Sequence, residues 1–469
     1  MDRLCVYGYA LNKNLYIKKC REMLLLRFNG EIPKFYVHSF GCQGNISEGE
    51  KIQGVLSELG FSRAFNINLA DIVILNTCAI REKAEDKVFS HLGNLVSLKK
   101  VYSNKIIGIC GCMVQQEHIK QRIEEHFPTV DLVFGPHVIY KLPELLYFAL
   151  CKRKGTYSDI SSKESLQEGL PTLRSSNIKA LVPIIYGCNN FCSYCIVPYV
   201  KGRERSRNFS AIVDEVKGLV ENGYKDITLL GQNVNSYGKD LNIKDGFAKL
   251  LYELNKIDGN FRIRFMTSHP KDFSKGLIDV IASCNKVCRH FHLPVQSGCD
   301  RILKAMNRKY TVEEYLNILY YAREVISGVT FTTDIIVGFP GESYCDFKET
   351  LKLVEIARYM SIFNFIYSKR KGTRAANLPD GVPKKEKVAW LKELIGLQNN
   401  ISCCLNSAYV GMVKSVLFEG VSSSDESLMV GRTDENILVV CGKNLSKIGQ
   451  ICSVQIIKSC RTMLFGEVL

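Results

Sequence analysis

The residues best suited to chemistry in this sequence are cysteines. Three stand in Gly187-Cys188-Asn189-Asn190-Phe191-Cys192-Ser193-Tyr194-Cys195, at CxxxCxxC spacing. Thiolates are the usual ligands of iron–sulfur clusters, and three of them fill three corners of a cubic [4Fe–4S] cluster, leaving one iron open. An open metal position can bind and polarise a substrate. The competing reading is a structural zinc loop or plain thiols. Zinc sites more often use CxxC pairs with a fourth ligand, and no histidine lies near this loop, so a cluster is expected.

Three more cysteines, Cys42, Cys78 and Cys112, lie far apart in the chain, and only a particular fold can gather them. Residues 35–39, 71–76 and 106–109 are apolar, β-branched runs of strand length, each followed by a helix-like segment over 47–59, 81–98 and 115–126. Such alternation predicts a doubly wound parallel sheet. Its strand C-termini share one edge, where ligands bind. A cysteine follows each predicted strand there, in Gly41-Cys42, Thr77-Cys78 and Gly111-Cys112. A second three-cysteine cluster with an open iron is expected, against the alternative of three buried structural thiols. Cys110 alternates to the opposite face of its strand and is left out.

The CxxxCxxC loop needs its own scaffold. Residues 181–186, 226–230, 262–267, 290–295, 332–337 and 361–366 read as six strands, separated by helical patterns such as 211–221, 312–325 and 346–357. Six units are too few for a full eight-stranded barrel, so an open, partial (β/α)6 barrel is predicted, with catalytic groups on the C-terminal strand ends. The cysteine loop follows the first strand, where that rule puts it. Residues 384–405 read as a charged helix. Residues 413–421, 428–430, 437–440, 451–457 and 463–468 read as five short strands bounded by glycines, a small all-β barrel of oligonucleotide-binding type. The fold class is α/β with three domains, at 33–150, 181–383 and 407–469, joined by a polar linker over 151–180 and a connecting helix over 384–406. Residues 1–32 read as a poorly patterned extension in which Met23 could be an alternative start.

The CxxxCxxC loop resembles the signature of the radical S-adenosylmethionine (SAM) superfamily. That resemblance implies that SAM chelates the open iron through its amino and carboxylate groups and is cleaved to a 5′-deoxyadenosyl radical, the protein supplying placement and shielding. Tyr194 either packs on the adenine or fills core. Gly231-Gln232-Asn233 ends the second predicted strand, where glycine permits close backbone approach and amides can meet the methionine head. Gln296 and Asp334 are weaker cofactor-binding candidates near later strand ends. So is His292, for which a satisfied core position is the commoner fate.

The chain carries a formal charge of +15, of which +12 sits between residues 151 and 406 and +3 in residues 1–32, while 33–150 and 407–469 are each balanced. A polyanionic partner is expected, with ordinary solubility charge as the alternative. Lys201, Arg203, Arg205 and Arg207 follow the cysteine loop, and Lys369, Arg370, Lys371 and Arg374 follow the sixth strand. Each cluster alone is usually a solvated loop; two on one barrel edge favour phosphate contacts. The neutral charge of 407–469 argues against strong RNA affinity from the small barrel alone. Nineteen cysteines without an export signal, and no run of 18 apolar residues, point to a reducing cytoplasm and no membrane span.

Over roughly residues 35–469 the chain resembles the methylthiotransferases, which join a cluster domain, a radical SAM domain and a TRAM domain. The resemblance rests on Phe40-Gly41-Cys42-Gln43, Asn76-Thr77-Cys78-Ala79-Ile80-Arg81, Gly111-Cys112-Met113 and the Gly187–Cys195 loop. It continues through Gly231-Gln232-Asn233-Val234-Asn235, His292-Leu293-Pro294-Val295-Gln296-Ser297-Gly298, Met306-Asn307-Arg308-Lys309-Tyr310-Thr311 and Asp334-Ile335-Ile336-Val337-Gly338-Phe339-Pro340-Gly341-Glu342. It implies two [4Fe–4S] clusters and two SAM per turnover. One SAM methylates sulfur held at the Cys42/Cys78/Cys112 cluster, and the other, at the Cys188/Cys192/Cys195 cluster, supplies the radical that activates position 2 of an adenine. The wording is most similar to the branch acting on N6-isopentenyladenosine beside the tRNA anticodon. Implied partners are tRNA, a flavodoxin- or ferredoxin-like electron donor and a sulfur donor, with the protein a monomer. Gly44, where the family commonly has methionine, and Lys369, Lys371 and Arg374, where prolines are common, depart from the pattern. The alternatives are the threonylcarbamoyladenosine branch, the branch acting on a ribosomal-protein aspartate, and, from another class, a non-catalytic RNA-binding iron–sulfur sensor.

Overall fold

A computed structural model describes residues 2–79, 82–151, 157–159 and 168–469. Met1, Ile80, Arg81 and residues 152–156 and 160–167 of the predicted 151–180 linker lie outside the described residues. The chain divides into two compact units, Met1–Ser175 with Ile196–Arg203, and Ser176–Cys195 with Glu204–Leu469.

The first unit is built on a six-stranded parallel sheet in the order Ser62–Arg63, Lys34–Ser39, Ile72–Thr77, Ile106–Gly111, Leu132–Phe134 and Tyr157–Asp159. Ile72 and Ile74 pack with Phe35, Ile52 and Leu56 on one face, while Val73 and Leu75 pack with Val88, Leu92 and Ile107 on the other. Burial of both faces explains the near-continuous apolar strands. Cys110 is fully buried on the first of these faces, as its alternation predicted. The last two strands have three residues each, too short for a periodic signal, and went unread in the sequence.

Residues 1–32 are not a loose extension. Asp2–Arg27 is a helix whose Ile17, Cys20 and Leu24 are buried in one cluster with Leu142, Leu145 and Leu146. These three positions form one helical face, a stripe diluted in sequence by polar neighbours. The end of the predicted linker also belongs to this unit. Ser175 donates to Glu50 Oε1 through its amide (2.9 Å) and its hydroxyl (2.6 Å).

The second unit contains six parallel barrel strands in two three-stranded sheets: Lys179–Pro183, Asp226–Leu230 and Arg262–Phe265, then His290–His292, Thr330–Val337 and Ser361–Ile366. A parallel bridge from Ile263 to Val287 continues the pairing between the two sheets. The first strand ends earlier than predicted, because Ile185–Tyr186 leaves it to pair antiparallel with Arg205–Ser206. The helix Lys384–Ser407 leads into a closed five-stranded barrel, Val413–Val421, Leu428–Thr433, Leu438–Gly442, Ile451–Ser459 and Met463–Val468. That barrel seats on the N-terminal ends of the large-barrel strands. Arg262 Nη1 donates to Arg432 O (2.6 Å), Arg264 Nη2 to Thr433 O (2.8 Å) and Thr330 Oγ1 to Glu435 O (3.0 Å). The C-terminal strand ends are left to the cysteine loop.

Candidate active sites

In the first unit the sheet edge brings Cys42, Cys78 and Cys112 together. Cys42 is the N-cap of the helix Gln43–Glu58, and Cys112 begins the turn Met113–Gln115. Cys42 and Cys78 are hydrogen-bonded to each other. Asn45 Oδ1 lies 3.8 Å from Cys42 Sγ and 4.0 Å from Cys112 Sγ. The backbone is shaped for this approach. Gly41 (φ +93°) carries no Cβ, which would lie 2.7 Å from Cys78 Sγ, and at Gly111 (φ +107°) a Cβ would meet Thr77 O at 2.2 Å. Gly44 leaves ordinary space beside Cys42, since a Cβ there would lie 3.6 Å from its sulfur.

The electrostatics of this edge are uneven. The hydrogen bond from Cys78 lowers Cys42 to about 6. Burial pushes Cys112 up to about 12, against the pull of the Lys201 ammonium. Lys201, on the short helix Val197–Lys201, is buried in this unit and paired with Glu48, itself buried. Lys201 is thus not on a solvent-facing phosphate rim, as its place in a basic run predicted. Two residues that sequence reasoning passed over, Asn45 and Glu48, complete the site. Both sit on the first turns of the helix that starts at Cys42, which was their available signal.

In the second unit the Gly187–Cys195 loop is clamped from several sides. Ser193 N donates to Met306 O (3.0 Å), Ser193 Oγ to Ala305 O (2.9 Å), and Asn307 Nδ2 to Phe191 O (2.9 Å). Phe191 itself adopts φ +47°, a conformation this clamp must hold. Arg308, buried, donates Nη1 to Cys192 Sγ (3.4 Å), Nη2 to Pro294 O (2.6 Å) and Nε to Tyr310 OH (2.7 Å). Asn307 and Arg308 entered the sequence reading only as motif text. Burial raises Cys188 to about 11. Among the described residues no three His, Cys, Asp or Glu side chains close on one ion position. A cubane needs no such point, because each thiolate takes its own iron.

The other predicted cofactor residues divide. Gln232 Oε1 accepts from Gly187 N (2.9 Å), which ties the second strand end to the cysteine loop, and a Cβ on Gly231 would strike Ile185 at 2.4 Å. Asn233 has its side chain committed to Asp272 (2.7 Å) and the His269 amide (3.2 Å), so it shapes the edge. Tyr194, half-buried, packs against Ile302, Met306, Phe339, Tyr367 and Ala375. Gln296 is buried at φ +77°, bridging the backbones of Asp334 and Ile336. His292 is pinned to Thr332 Oγ1 (3.0 Å) and lies 3.6 Å from Asp334, the satisfied core position anticipated for it. Both polar side-chain atoms of Asn235, Ser268 Oγ and His269 Nε2 are buried without a hydrogen-bond partner among the described residues. These residues follow the second and third strands, and burial with the Arg308 charge nearby drives His269 far below the usual imidazole range. Such orphaned polar atoms fit a polar ligand seated on this edge.

The basic residues also divide. Arg207 is buried and held by Glu215 (2.8 Å) and Pro183 O (2.8 Å), so, like Lys201, it is no surface cation. Arg203 and Lys369 are exposed, Arg205 and Arg370 partly so. Ala375 N donates to Ser193 O (2.8 Å), which sets the 368–374 segment beside the cysteine loop.

Comparison with known proteins agrees with this layout. The uncharacterized protein family UPF0004 matches residues 34–135, the Radical SAM superfamily 182–354 and the TRAM domain 407–469. The tRNA-2-methylthio-N(6)-dimethylallyladenosine synthase of Clostridium tetani (strain Massachusetts / E88) is 49% identical over 92% of this chain and 96% of its own. The chain belongs to the tRNA-2-methylthio-N6-dimethylallyladenosine synthase family. The synthase of the same name from Alkaliphilus oremlandii (strain OhILAs) is 48% identical over 96% of this chain and 95% of its own. Among solved structures, the radical SAM methyltransferase TsrM of Kitasatospora setae, with tryptophan and a SAM analogue bound, shares the fold. Its TM-score is 0.54 at 14% identity, over 73% of this chain and 75% of that one. As a synthase-family member the chain is a radical SAM tRNA methylthiotransferase whose cofactors are [4Fe–4S] and SAM.

Proposed function

We propose that this chain places a methylthio group on position 2 of N6-isopentenyladenosine at tRNA position 37, and that its two cysteine sets hold two distinct clusters. What carries the reading is that each set lies at the C-terminal ends of parallel strands in its own domain, within a chain that matches synthases of that name almost end to end. Cys188, Cys192 and Cys195 hold the SAM-binding cluster, and Cys42, Cys78 and Cys112 the auxiliary, sulfur-bearing one. When bound, the clusters and two SAM molecules supply the radical and the methylthio group.

The protein's part is placement. The Ala305–Arg308 segment holds the cysteine loop in its strained form, and the Arg308 guanidinium offsets thiolate charge at Cys192. Asn235, Ser268 and His269 offer their unmet polar atoms to SAM or the target nucleoside. His269, held neutral by burial, adds a hydrogen-bonding group without adding charge. Arg203, Arg205, Lys369 and Arg370 take tRNA phosphates; such contacts orient the substrate, while pocket contacts select it. No helix among the described residues is long and apolar enough to cross a membrane. The protein acts in the cytoplasm as a monomer, fed by a flavodoxin- or ferredoxin-like reductant and a sulfur donor.

The test is anaerobic. Reconstituted protein is given SAM, reductant and isopentenyladenosine-containing tRNA, and the digested nucleosides are read by mass spectrometry. A 2-methylthio nucleoside is expected. Cleaved SAM without that product, together with product on threonylcarbamoyladenosine tRNA, would overturn the substrate assignment. Intact clusters with no SAM cleavage would favour the sensor.

A further inference from the structure

A buried ammonium, that of Lys201, lies at the Cys42/Cys78/Cys112 edge. Lys201 stands in a run of cations, yet it is only 5% exposed and its Nζ contacts Glu48, which is 7% exposed. It is also hydrogen-bonded at Cys112, and its charge reaches Cys42. Packing fixes it there: Ile196 and Val200 of the same short segment join Ala79 and Cys112 in one apolar cluster. Burying a lysine is costly unless it is paired and hydrogen-bonded. A single carboxylate would neutralise it, so an apolar pair would pack here with less penalty. A charge pair set against Cys112 and within reach of Cys42 points to the anions that assemble at that spot.

We propose that Lys201 is a positioning residue of the auxiliary site. Its ammonium is the fixed positive charge that stabilises both the three-thiolate cluster and an anionic sulfur ligand, hydrosulfide or alkanethiolate, at the open iron. Glu48 is the tether that aims it and tempers its charge. This inference rests on the two-cluster reading for the site, but it makes a claim that methylthiolation does not require.

The test uses the full chain with Cys188→Ala, Cys192→Ala and Cys195→Ala, reconstituted anaerobically so that only the auxiliary cluster loads. Two quantities are read without SAM or tRNA: the midpoint potential by EPR-monitored redox titration, and the affinity for methanethiolate by spectral titration. A nearby cation favours the more negative, reduced cluster. Lys201→Met should therefore lower the reduction equilibrium constant about tenfold, which is about 59 mV for a one-electron couple, and weaken methanethiolate about tenfold. Lys201→Arg should restore most of both. Glu48→Gln should move both quantities the opposite way, a reversal that loosened packing would not produce. A potential and an affinity within twofold of the parent in Lys201→Met would overturn the proposal. Where that variant fails to hold a cluster, Glu48→Gln decides alone, and an unchanged potential there overturns it. Absence of a methylthio nucleoside in the separate turnover assay would defeat the functional reading and leave these two measurements intact.

Discussion

Asn45→Asp tests the construction of the first site most sharply, because it changes one atom. Asn45 is fully buried, and its Nδ2 donates to Phe40 O (2.9 Å) and Thr77 O (2.7 Å), the loops that carry Cys42 and Cys78. Thr77 O keeps a second donor, the Cys112 amide at 3.0 Å, whereas Phe40 O keeps none among the described residues. Asn45→Ala therefore orphans the part-buried Phe40 carbonyl, at most roughly 1–3 kcal/mol, and removes one of two bonds at the buried Thr77 carbonyl, about 1 kcal/mol. Asn45→Asp costs more. It sets an acceptor where the donor stood, facing two carbonyl oxygens, and adds a negative charge beside the thiolates, a buried-charge penalty of several kcal/mol. Protonating the new carboxyl recovers at most one of the two bonds. The assay is iron per chain after anaerobic reconstitution, with SAM cleavage and nucleoside product measured on the same samples. Asn45→Asp should hold about half the parental iron, keep SAM cleavage and lose the methylthio product, with Asn45→Ala between it and the parent. Full iron and parental product in Asn45→Asp would refute the claim that these hydrogen bonds position Cys42 and Cys78.

Cys188→Ala should abolish SAM cleavage, while Cys78→Ala should spare cleavage and stop methylthio product; product from the Cys78 variant would break the two-site assignment. Arg203→Glu with Lys369→Glu should weaken tRNA binding and flatten the log–log salt slope by roughly 1–2, and unchanged affinity and slope would remove these residues from the interface. Glu342, buried under the loop after the fifth barrel strand, accepts from the amides of Gly338 (2.5 Å) and Phe339 (3.0 Å), yet burial raises it from 4.5 to about 7. The folded state then holds a proton that the unfolded chain has lost across that window, so this group's contribution to stability falls as pH rises from about 4.5 to 7. Glu342→Gln keeps the acceptor oxygen and should gain on the parent by roughly 1–3 kcal/mol between pH 5 and 8, read by denaturant unfolding; a pH-independent difference would discount the burial argument.

How much was legible follows from the range over which each signal acts. The parallel strands that carry Cys42, Cys78 and Cys112 are marked by local apolar runs, and a parallel sheet necessarily aligns their C-termini. Three cysteines spread over some seventy residues could therefore be gathered on paper. The six barrel strands and the five of the small barrel were legible for the same reason, with ends displaced by a few residues at Pro183 and Thr433. The two three-residue strands at Leu132–Phe134 and Tyr157–Asp159 were not, because nothing that short has a period. The apolar stripe Ile17, Cys20 and Leu24 passed unread because the helix also carries apolar residues off that face, such as the exposed Leu15, Leu25 and Leu26.

Side-chain fate was the other blind spot. Lys201, Arg203, Arg205 and Arg207 look alike in sequence, and only packing separates the buried Lys201 and Arg207, each held by a glutamate, from the exposed Arg203. Tyr194 rests half-buried against Phe339 and Tyr367, a contact that no sequence pattern announces. Sequence by itself determined the cysteine spacing, the strand ends that carry the cysteines and the family, because spacing and periodicity are written along the chain. Tertiary structure alone decided which charges face water, which carbonyls share Asn45 and which arginine reaches Cys192. The Asn45–Thr77, Arg308–Cys192 and Lys201–Glu48 contacts each join residues more than thirty positions apart, and the free energy of a buried charge or carbonyl is set by such partners and not by residue type alone.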